Sequence, residues 1–538
     1  MITIPGVVAA LASSARTTHR PALLGRDPVT FAELHDRGTG RIDELVDLGV
    51  TGGGIVAIVC FNETVVFEYL VAAGWLGAAL MPLSPALTDA EVAALVDKAD
   101  AAACVVTPAV GAERAARLTE ATGRRFQLAP PPTDRMRSAD ARLPADPVRL
   151  PADPVRLPAD PVPPRADSTC WVSTTGGSTG TPRLFAVSHE RLLTNSLLNA
   201  YEWGWSAYPV HVSLSPIAHG IGFSHAVGQL ASGGTVALIE RYDPAAAVAW
   251  LSGGTPTWTA VVPTMVHDLY RQEASLSALG LLVCAGAPLE VGLRERVLTG
   301  GGARLIEYYG STELGWVTWL EHRPGDPREG LVGLPTLGAA VRIVDADGRP
   351  VPDGQIGRVQ KSGRPYAIPL GGGVSAYESN ASAWESSGDL GRIDADGCLI
   401  LAGRADDMIV VGGQNVYPVE VELVLREHPA VREVVVRGAH SDRLGQSLVA
   451  YVEADAEPRL ADELADLCAT RLARYKRPAR FVVTDALPRN SAGKLRRSFT
   501  LAGDRSAGPP GDRSAGPLGD RSGGPPGDRS GGRTGEQR

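Results

Sequence analysis

Residues 174–183 read TTGGSTGTPR, a run of glycines and hydroxyl side chains that a proline and an arginine close. Glycines let backbone N–H groups approach an anion closely, and hydroxyl groups add further donors. The run follows STCWVS (168–173), whose composition predicts a strand. It is not a Walker loop, because no Gly-Lys-Ser/Thr follows at the required spacing. Taken alone, it is equally compatible with a phosphate-binding loop and with a structural turn.

The length and composition of the chain narrow the class of protein. The chain has 538 residues, enough for several structural units. Its net charge is −8 and no basic stretch is interleaved with aromatic residues, which argues against nucleic-acid binding. No apolar run indicates a membrane span or a signal peptide, and 65–81 resembles a core helix. The six cysteines are scattered among apolar residues, so we expect buried, reduced thiols in a cytoplasmic protein.

Lysine is rare in this chain. Of 52 basic residues only four are lysines, namely Lys98, Lys361, Lys476 and Lys494. An ammonium is a compact point charge and a guanidinium is a wide fork, so a lysine that remains is a candidate for chemistry that arginine cannot perform. Chance survival of four lysines is the competing explanation.

Short apolar runs alternate with helix-like stretches along most of the chain. The strand-like runs lie at 55–60, 103–107, 212–216, 235–239, 259–263 and 281–288. This alternation predicts parallel sheets covered by helices. From Leu331, turn signals between short strands predict a β-rich subdomain, and after 403–407 a compact α+β pattern follows.

The predicted fold class is therefore α/β. A large N-terminal domain (1–405) would contain helix-covered mixed sheets and the β-rich subdomain, and a small α+β C-terminal domain would span 406–502. RLPADPV repeats three times at 142–162, which predicts an extended, exposed insertion. The Gly/Pro/Ser repeats at 503–538 lack apolar residues, which predicts a disordered tail.

Two further stretches have the composition of a nucleotide site. In EYYGSTELG (307–315), Glu313 would bind Mg²⁺ and Thr312 would donate to a phosphate oxygen, or the two would belong to a helix-capping box. In SGDLG (387–391), Asp389 would bind ribose hydroxyls, or it would be an ordinary turn aspartate.

The last two stretches lie towards the C-terminus. GRADD occupies 403–407, and PRNSAGKLRR (488–497) places a Gly-Lys pair in a lysine-poor chain. The pair is either a solvated loop or a lysine delivered to a phosphate or carboxylate during a reaction.

The five stretches in this order resemble the signatures of the adenylate-forming superfamily. That family includes acyl-CoA and aryl-CoA synthetases, adenylation domains of nonribosomal peptide synthetases, and firefly luciferase. TGGSTGTPR is similar to TSGSTGxPK, with Arg183 in place of the usual lysine, and YGSTE is similar to YGxTE. SGD contains the GD of the ribose motif, GRADD matches GRxDD, and PRNSAGK matches PxxxxGK. WLGAALMPLSP (75–85) is similar to KAGAxxxPLxP, and the resemblance runs from about Ala22 to about Arg497.

The resemblance implies a reaction in two steps. A carboxylate attacks the α-phosphorus of ATP and releases pyrophosphate, and a thiol of CoA or of a carrier-protein phosphopantetheine then displaces AMP from the acyl-AMP. The first step brings two anions together, so it requires cations and fixed donors. ATP, Mg²⁺ and CoA or phosphopantetheine are the implied cofactors and co-substrates. A small carboxylic acid and an acyl or peptidyl carrier protein are the implied partners, with no nucleic acid and no membrane.

The resemblance also implies a role for each matched residue of the nucleotide site. The β,γ-phosphates would be held by Thr175, Gly176, Gly177, Ser178, Thr179 and Gly180, with Arg183 anchoring the loop. Adenine would lie between Tyr309 and a wall of Gly286, Ala287 and Pro288. Thr312 would contact the α-phosphate, Glu313 would bind Mg²⁺, and Asp389 and Arg404 would hold the ribose.

In the C-terminal domain the implied roles concern movement. Lys494 would bridge the substrate carboxylate and the α-phosphate in the first step. The small domain would be mobile and would rotate about Asp406, after which GGQN (412–415) would line the thiol tunnel.

The acid pocket would be lined by 215–227, 284–286 and 310–317. Amino-acid-activating relatives place an aspartate near the first of these stretches, and no acidic residue lies between 211 and 239 here. Relatives that activate salicylate-type acids have an asparagine where this chain has Gly220. Both acid classes are therefore disfavoured.

Three side chains of this region bear on the acid. Trp316 would shorten the pocket, which favours a small or aromatic acid. His219 would border the carboxylate or would only pack, and His225 would be a polar contact or a core histidine.

The leading hypothesis is an AMP-forming acid–thiol ligase of the acyl-CoA synthetase type. An alternative within the family is an enzyme that passes the activated group to an amine or activates an anion such as nitrite. A third alternative is a non-catalytic nucleotide-binding scaffold, whose signature would be loss of Glu313 or Lys494, and both are present. Compared with the usual lysine, Arg183 keeps the positive charge but changes the hydrogen-bond geometry. Slower adenylation is therefore a further alternative.

Overall fold

The structure, a computed structural model, describes most of the chain before residue 500. The described residues are 3–131, 165–175, 183–272, 275–300, 302–328, 330–363, 366–370, 384–407, 409–411, 414–441, 443–455, 457–489, 495–497 and 499. The repeats at 142–162 and 503–538 lie outside these residues, so the extended insertion and the disordered tail stay predictions. None of the helices in the described part of the chain has the length and hydropathy needed to span a bilayer.

The helices and strands are numbered here in chain order. The helices are α1 Ile4–Ser13, α2 Phe31–Gly40, α3 Ile42–Asp47, α4 Thr64–Trp75, α5 Asp89–Ala99, α6 Ala112–Thr122, α7 His189–Trp203, α8 Gly220–Ala231, α9 Pro244–Leu251, α10 Pro263–Arg271, α11 Val291–Thr299, α12 Pro418–Arg426 and α13 Leu460–Arg471. The strands of the first 300 residues are β1 Pro21–Leu24, β2 Val29–Thr30, β3 Ile55–Val59, β4 Ala79–Leu83, β5 Ala103–Val106, β6 Phe126–Leu128, β7 Thr169–Thr175, β8 Arg183–Ser188, β9 Val210–Ser213, β10 Thr235–Leu238, β11 Thr257–Val261 and β12 Leu279–Ala285. The remaining strands are β13 Arg304–Ser311, β14 Gly315–Glu321, β15 Leu331–Pro335, β16 Ala340–Val344, β17 Gly357–Ser362, β18 Ile368–Pro369, β19 Trp384–Ile393, β20 Leu399–Arg404, β21 Ile409–Val411, β22 Gln414–Val416, β23 Glu433–Ser441, β24 Gly445–Glu453 and β25 Arg480–Thr484.

The largest sheet is mixed, with a parallel half and an antiparallel half. Its order is β16-β17-β19-β20-β15-β14-β13-β12-β11-β9-β10-β1-β2. Strands β9 to β13 and β1 pair in parallel, while β13 to β20 pair antiparallel. Antiparallel pairing begins at β13 and continues through the strands after Leu331, so the β-rich subdomain predicted from Leu331 is confirmed.

A second sheet of seven strands has the order β18-β8-β7-β4-β3-β5-β6. Its central strands are parallel, and β7, β8 and β18 add two antiparallel pairs at one edge. A smaller sheet in the C-terminal part has the order β22-β21-β24-β23, with β25 parallel to β24. Together with α12 and α13 it forms the predicted α+β unit, so the fold class is confirmed.

Helices cover the parallel parts of the two large sheets. Alternate residues of β3 point to opposite sides: Val56 and Ile58 face a core shared with the largest sheet, while Ala57 and Val59 face α5 and α6. The shared core also contains residues of α1, α2, α4, α7 and α8, and α9, α10 and α11 pack on the far face of the largest sheet. This layering follows from strands that are apolar on both faces.

Prolines and glycines end several strands earlier than their apolar runs suggest. The strand predicted at 259–263 ends at Val261, because Pro263 is the first residue of α10 and cannot donate to a ladder. The strand predicted at 281–288 ends at Ala285, where Gly286 takes a φ of +93°. The run 65–81, predicted as one core helix, is a helix only to Trp75 and then enters β4.

Candidate active site

The run TTGGSTGTPR connects two antiparallel strands. β7 ends at Thr175 and β8 begins at Arg183, and these two residues form the last pair of the ladder. The strand predicted before the run is confirmed. The predicted phosphate-binding residues Gly176, Gly177, Ser178, Thr179 and Gly180 lie outside the described residues, and Arg183 is exposed at the base of the connection.

The run EYYGSTELG forms a second hairpin. β13 ends at Ser311 and β14 begins at Gly315, so Thr312, Glu313 and Leu314 form the turn between them. No helix begins in this described stretch, so the capping-box interpretation is wrong. Thr312 and Glu313 are half-buried at the tip of the hairpin.

The short segment 366–370 links the two hairpins. Ala367 N–H donates to the carbonyl of Glu313 at 3.2 Å. β18, in the same segment, pairs with β8, and Leu370 N–H donates to the carbonyl of Leu184 at 2.9 Å. The Gly-rich connection and the turn that carries Thr312 are therefore held to one another through a common strand, which sequence analysis did not anticipate.

Tyr309, Asp389 and Arg404 meet at one point. The hydroxyl of Tyr309 donates to Oδ2 of Asp389 at 2.5 Å. Asp389 and Arg404 are paired residues of β19 and β20, and Nη1 of Arg404 lies 3.5 Å from Oδ1 of Asp389. Burial raises the pKa of Asp389, opposed by its hydrogen bond from Tyr309 and the charge of Arg404. Asp389 lies within a strand and is not an ordinary turn aspartate.

Gly286, Ala287 and Pro288 follow β12 and are exposed. Ala285 pairs with Tyr308 in the parallel ladder, so the next residues of the two strands, Gly286 and Tyr309, are neighbours. A flat base between these two segments would have an aromatic ring on one side and backbone on the other.

A buried carboxylate that sequence analysis missed holds this segment in place. Glu307 accepts from Leu289 N–H at 3.1 Å and from Nε2 of His322 at 2.9 Å. Glu307 and His322 are almost fully buried, and Arg294 contacts the other nitrogen of the imidazole at 3.3 Å. A charged residue within an otherwise apolar strand run was the available signal.

His219 immediately precedes α8, and its carbonyl accepts from Phe223 N–H at 3.0 Å. The α8 helix starts close to β7, because the rings of Phe223 and Trp171 stack with centroids 4.8 Å apart. His219 thus lies at the end of a helix that faces the strand leading into the Gly-rich connection.

His225 lies at the centre of a group of aromatic rings, which we call the aromatic wall. The wall consists of Trp203, Trp205, Trp258, Tyr308 and Trp316, with ring centroids 5.6–6.0 Å from that of His225. His225 is fully buried, its Nδ1 lies 2.7 Å from the carbonyl of Ile221, and burial lowers its pKa to about 4. The imidazole is therefore neutral at pH 7, with Nδ1 donating to the carbonyl.

Arg497 joins the turn that contains Asp406 to the α12 helix. Asp406 lies in the 3-10 turn Ala405–Asp407, and the neighbouring Asp407 contacts Nε of Arg497 at 3.0 Å. Arg497 also donates from Nη1 and Nη2 to the buried carboxylate of Glu422, at 2.7 and 2.8 Å. Lys494 lies outside the described residues, and Arg489 and Leu495 on either side of it form a β-bridge.

The last two residues of GGQN, Gln414 and Asn415, lie in a small hairpin of the C-terminal sheet. β21 and β22 pair antiparallel, with Val411 opposite Gln414. Gly412 and Gly413 lie outside the described residues, and Gln414 is exposed.

Comparison with known proteins agrees with this arrangement. The profile of AMP-binding enzymes matches residues 11–365, and the profile of the AMP-binding enzyme C-terminal domain matches residues 420–494. The chain belongs to the family of AMP-binding enzymes.

Relatives in this family are acid–CoA ligases. A feruloyl-CoA synthase from Amycolatopsis sp is 32% identical over 480 residues, covering 88% of this chain and 93% of the relative. A medium/long-chain-fatty-acid–CoA ligase of Mycobacterium tuberculosis is 29% identical, covering 89% of this chain and 86% of the relative. This AMP-binding enzyme is accordingly an AMP-forming acid–thiol ligase of the acyl-CoA synthetase type, with ATP and CoA as co-substrates.

Among solved structures, the amide bond synthetase McbA from Marinactinospora thermotolerans is also similar to this AMP-binding enzyme. The two share 26% identity with a TM-score of 0.75, and the match covers 92% of this chain and 98% of that chain.

Proposed function

We propose that this enzyme activates a small aromatic carboxylic acid without an α-amino group and transfers it to CoA. The observation that carries the proposal is the neutral aromatic wall beside the turn of Thr312 and Glu313. Trp316 belongs to the wall and lies in β14, directly after this turn. The acid's carboxylate would lie at the turn and its ring against the wall.

The charge of the wall supports this acid class. Burial lowers the pKa of His225 to about 4 and lowers that of the neighbouring His211 as well, so neither imidazole is charged at pH 7. An α-ammonium or a second carboxylate would lose its hydration here and would find no opposite charge. Burying an unpaired ion in this way costs roughly several kcal/mol. A neutral ring would gain the offset or edge-to-face contacts that aromatic pairs prefer.

The packing of the wall supports a small acid. Trp316 is 4% exposed and contacts Tyr366 edge-on at 5.3 Å, while Trp203 stacks on Tyr308 at 5.1 Å. A long acyl chain would have to displace these rings, and interiors packed at crystal-like density resist that. The feruloyl-CoA synthase relative, whose name specifies an aromatic acid, favours the same class.

For the nucleotide, we assign the roles that the geometry accommodates. Asp389, held by Tyr309 and Arg404, would accept from the ribose hydroxyls, and Tyr309 would face adenine opposite Gly286–Pro288. Thr312 would donate to the α-phosphate. Thr175 and the glycines and hydroxyls of 176–180 would hold the β,γ-phosphates at the hairpin connection, and Arg183 would anchor it.

The residues at the turn also fit a magnesium ion that enters with ATP. Mg²⁺ keeps several waters and usually takes one or two carboxylates in addition to phosphate oxygens. Glu313 supplies one half-buried carboxylate, and the described residues contain no cluster of three or more potential ligands that would form a complete protein cage. The ion would neutralise phosphate charge while Glu313 orients it.

The two anions that react require a further cation. Lys494 would lie between the carboxylate and the α-phosphate, and the carboxylate oxygen would then form the new bond to phosphorus as pyrophosphate leaves. Rotation of a C-terminal domain (406–502) about Asp406 relative to 1–405 would withdraw Lys494 and bring 412–415 to the thiol. His219 would border the carboxylate.

The proposal includes a carrier-protein thiol as an acceptor in place of CoA. It also includes a cytoplasmic location. The six cysteines are buried and free, which supports a reducing compartment.

A second candidate is transfer of the activated acid to an amine. The similarity to an amide bond synthetase favours it, because the adenylation half of such an enzyme needs the same residues. A non-catalytic scaffold has no such support, since Glu313 and Lys494 are both retained.

The deciding experiment is pyrophosphate release from ATP by purified protein against a panel of carboxylic acids, with and without CoA. We expect release with benzoate- or cinnamate-like acids, an increase with CoA, and an aryl-CoA thioester as product. Release with aliphatic acids alone would overturn the assigned acid class. Release with aromatic acids but no thioester, followed by amide formation when amines are added, would establish the second candidate.

A further inference from the structure

One of the four lysines is buried beneath the turn that carries Thr312 and Glu313. Lys361 lies in β17, is 9% exposed, and donates from Nζ to the carbonyl of Leu314 at 2.6 Å. Leu314 is the third residue of the turn, directly after Glu313. No role in the reaction described above uses this lysine.

Lys361 is flanked in its sheet by one apolar and one acidic residue. In the antiparallel ladder Lys361 is opposite Val341 of β16 on one side and Glu385 of β19 on the other. Burial lowers the pKa of Lys361 to about 8, with Glu385 acting in the opposite direction and Arg191 of α7 adding to the decrease. At pH 7 the ammonium is charged, and the Leu314 carbonyl accepts one of its protons.

Three hydrogen bonds hold backbone groups of the turn, one from a neighbouring residue and two from distant parts of the chain. Leu314 N–H donates to Oγ of Ser311 at 3.2 Å, and the carbonyl of Glu313 accepts from Ala367 N–H at 3.2 Å. The third anchor is the bond from Lys361, and it alone is formed by a side chain that carries a full charge. A charge-assisted hydrogen bond is about twice as strong as a neutral one.

We propose that Lys361 is a positioning residue for adenylation, which fixes the 312–314 turn and places a positive charge behind the site of the α-phosphate. The proposal rests on the roles assigned above to Thr312 and Glu313. The ammonium of Lys361 is buried under the turn, so its charge would act from behind the bound phosphates.

Nucleotide binding separates this role from a structural one. Lys361→Met leaves the buried Leu314 carbonyl without its donor, which lowers stability whichever role Lys361 has. Methionine has nearly the length of lysine and fills irregular apolar space. If Lys361 served packing alone, Lys361→Met would change neither nucleotide binding nor the reaction.

The experiment compares Lys361→Met with Lys98→Met, a control lysine that is exposed in α5. ATP with Mg²⁺ is titrated into each protein, and pyrophosphate release is measured over ranges of ATP and of acid, together with the thermal midpoint. For Lys361→Met we expect ATP affinity and kcat/KM for ATP to fall roughly 10- to 100-fold, as for loss of a hydrogen bond to a charged group. KM for the acid should stay within about twofold when the assays are run well below the thermal midpoint of the variant.

Two results would overturn the proposal. One is ATP affinity and kcat/KM within about twofold of the unaltered protein; the other is an equal loss of kcat/KM for ATP and for the acid, as general misfolding of the variant would give. The titration needs no acid, so it tests Lys361 even if no acid of the panel supports pyrophosphate release. In that case the proposed acid class fails while the role of Lys361 is decided independently.

Discussion

At the scale of single residues, the site is built from contacts between distant parts of the chain. Tyr309 and Asp389 are 80 residues apart, yet they share a hydrogen bond because β13 and β19 belong to one sheet. Their partner Arg404 comes from the next strand, β20. The group is charged, partly buried and preorganised, which suits recognition of a polar ligand.

Replacing this carboxylate by its amide tests the ribose assignment. Asp389→Asn keeps the shape but removes the charged acceptor, so we expect KM for ATP to rise roughly tenfold or more with a smaller change in kcat. Steady-state pyrophosphate release measures both constants. Asp347→Asn, at an exposed turn aspartate, should leave them unchanged. An unchanged KM in Asp389→Asn would remove Asp389 from the ribose site.

The two half-reactions separate the role of Lys494. Lys494→Ala removes the cation between the carboxylate and the α-phosphate. The rate of acyl-AMP formation should therefore fall by roughly 1,000-fold or more, as it does when other preorganised charges are removed from active sites. Thioester formation from supplied acyl-AMP should remain largely intact, because that step does not join two anions. Single-turnover assays of each step provide the comparison, and equal loss of both steps would contradict the assignment.

At the scale of elements, hairpins and ion pairs fix the loops that carry the chemistry. The clearest case is α12, whose Glu422 is 1% exposed and accepts from Val436 N–H at 2.8 Å. The same carboxylate binds Arg497, which also contacts Asp407. One guanidinium thereby joins the turn that contains Asp406, the α12 helix and the segment after Lys494.

Weakening this pair should destabilise the C-terminal part. Glu422→Gln leaves Arg497 with one carboxylate partner, and we expect a loss of roughly 2–3 kcal/mol. This is less than for a fully buried pair, because 37% of the Arg497 side chain is exposed. Denaturant unfolding followed by far-UV circular dichroism measures the change.

Glu420→Gln is the matched control, because Glu420 lies in the same helix and pairs with Lys476 in a partly exposed position. Its effect should stay below about 1 kcal/mol. Equal destabilisation by the two substitutions would show that the Glu422–Arg497 pair contributes no more to stability than the partly exposed Glu420–Lys476 pair.

At the scale of the whole molecule, three sheets carry the fold, and the cores described above lie before residue 500. The helices α1, α4 and α8 fill the space between the two large sheets, and the smaller sheet has a core of its own. The repeats from Gly503 onward contain almost no apolar residue that could extend these cores.

Deleting the tail from Gly503 should therefore have little effect. A segment that buries no apolar surface cannot contribute appreciably to folding, so the thermal midpoint should change by no more than about 1 °C. The rate of pyrophosphate release should also be unchanged. A clear decrease in either quantity would show that the tail docks on the folded part of the chain.

Local patterns were sufficient for a large part of the fold. The apolar runs at 55–60 and 235–239 became β3 and β10, and the family signatures were recognised in their order. Strand ends were less accurate, because Pro263 and Gly286 end their strands within apolar runs. The spacing of apolar residues shows which face of a helix or strand is buried. It does not show which other helix or strand packs against that face.

By itself the sequence determined which residues are available for chemistry and the family to which they belong. Such signatures are short and local, so a hydroxyl-rich connection or a Gly-Lys pair is visible without any structure. Only the tertiary structure decided that Glu313 lies in a hairpin turn, that Lys361 lies beneath it, and that neutral rings surround His225. These features depend on contacts between strands and helices far apart in the chain. Burial, and with it the charge state of a histidine or lysine, is a property of that packing.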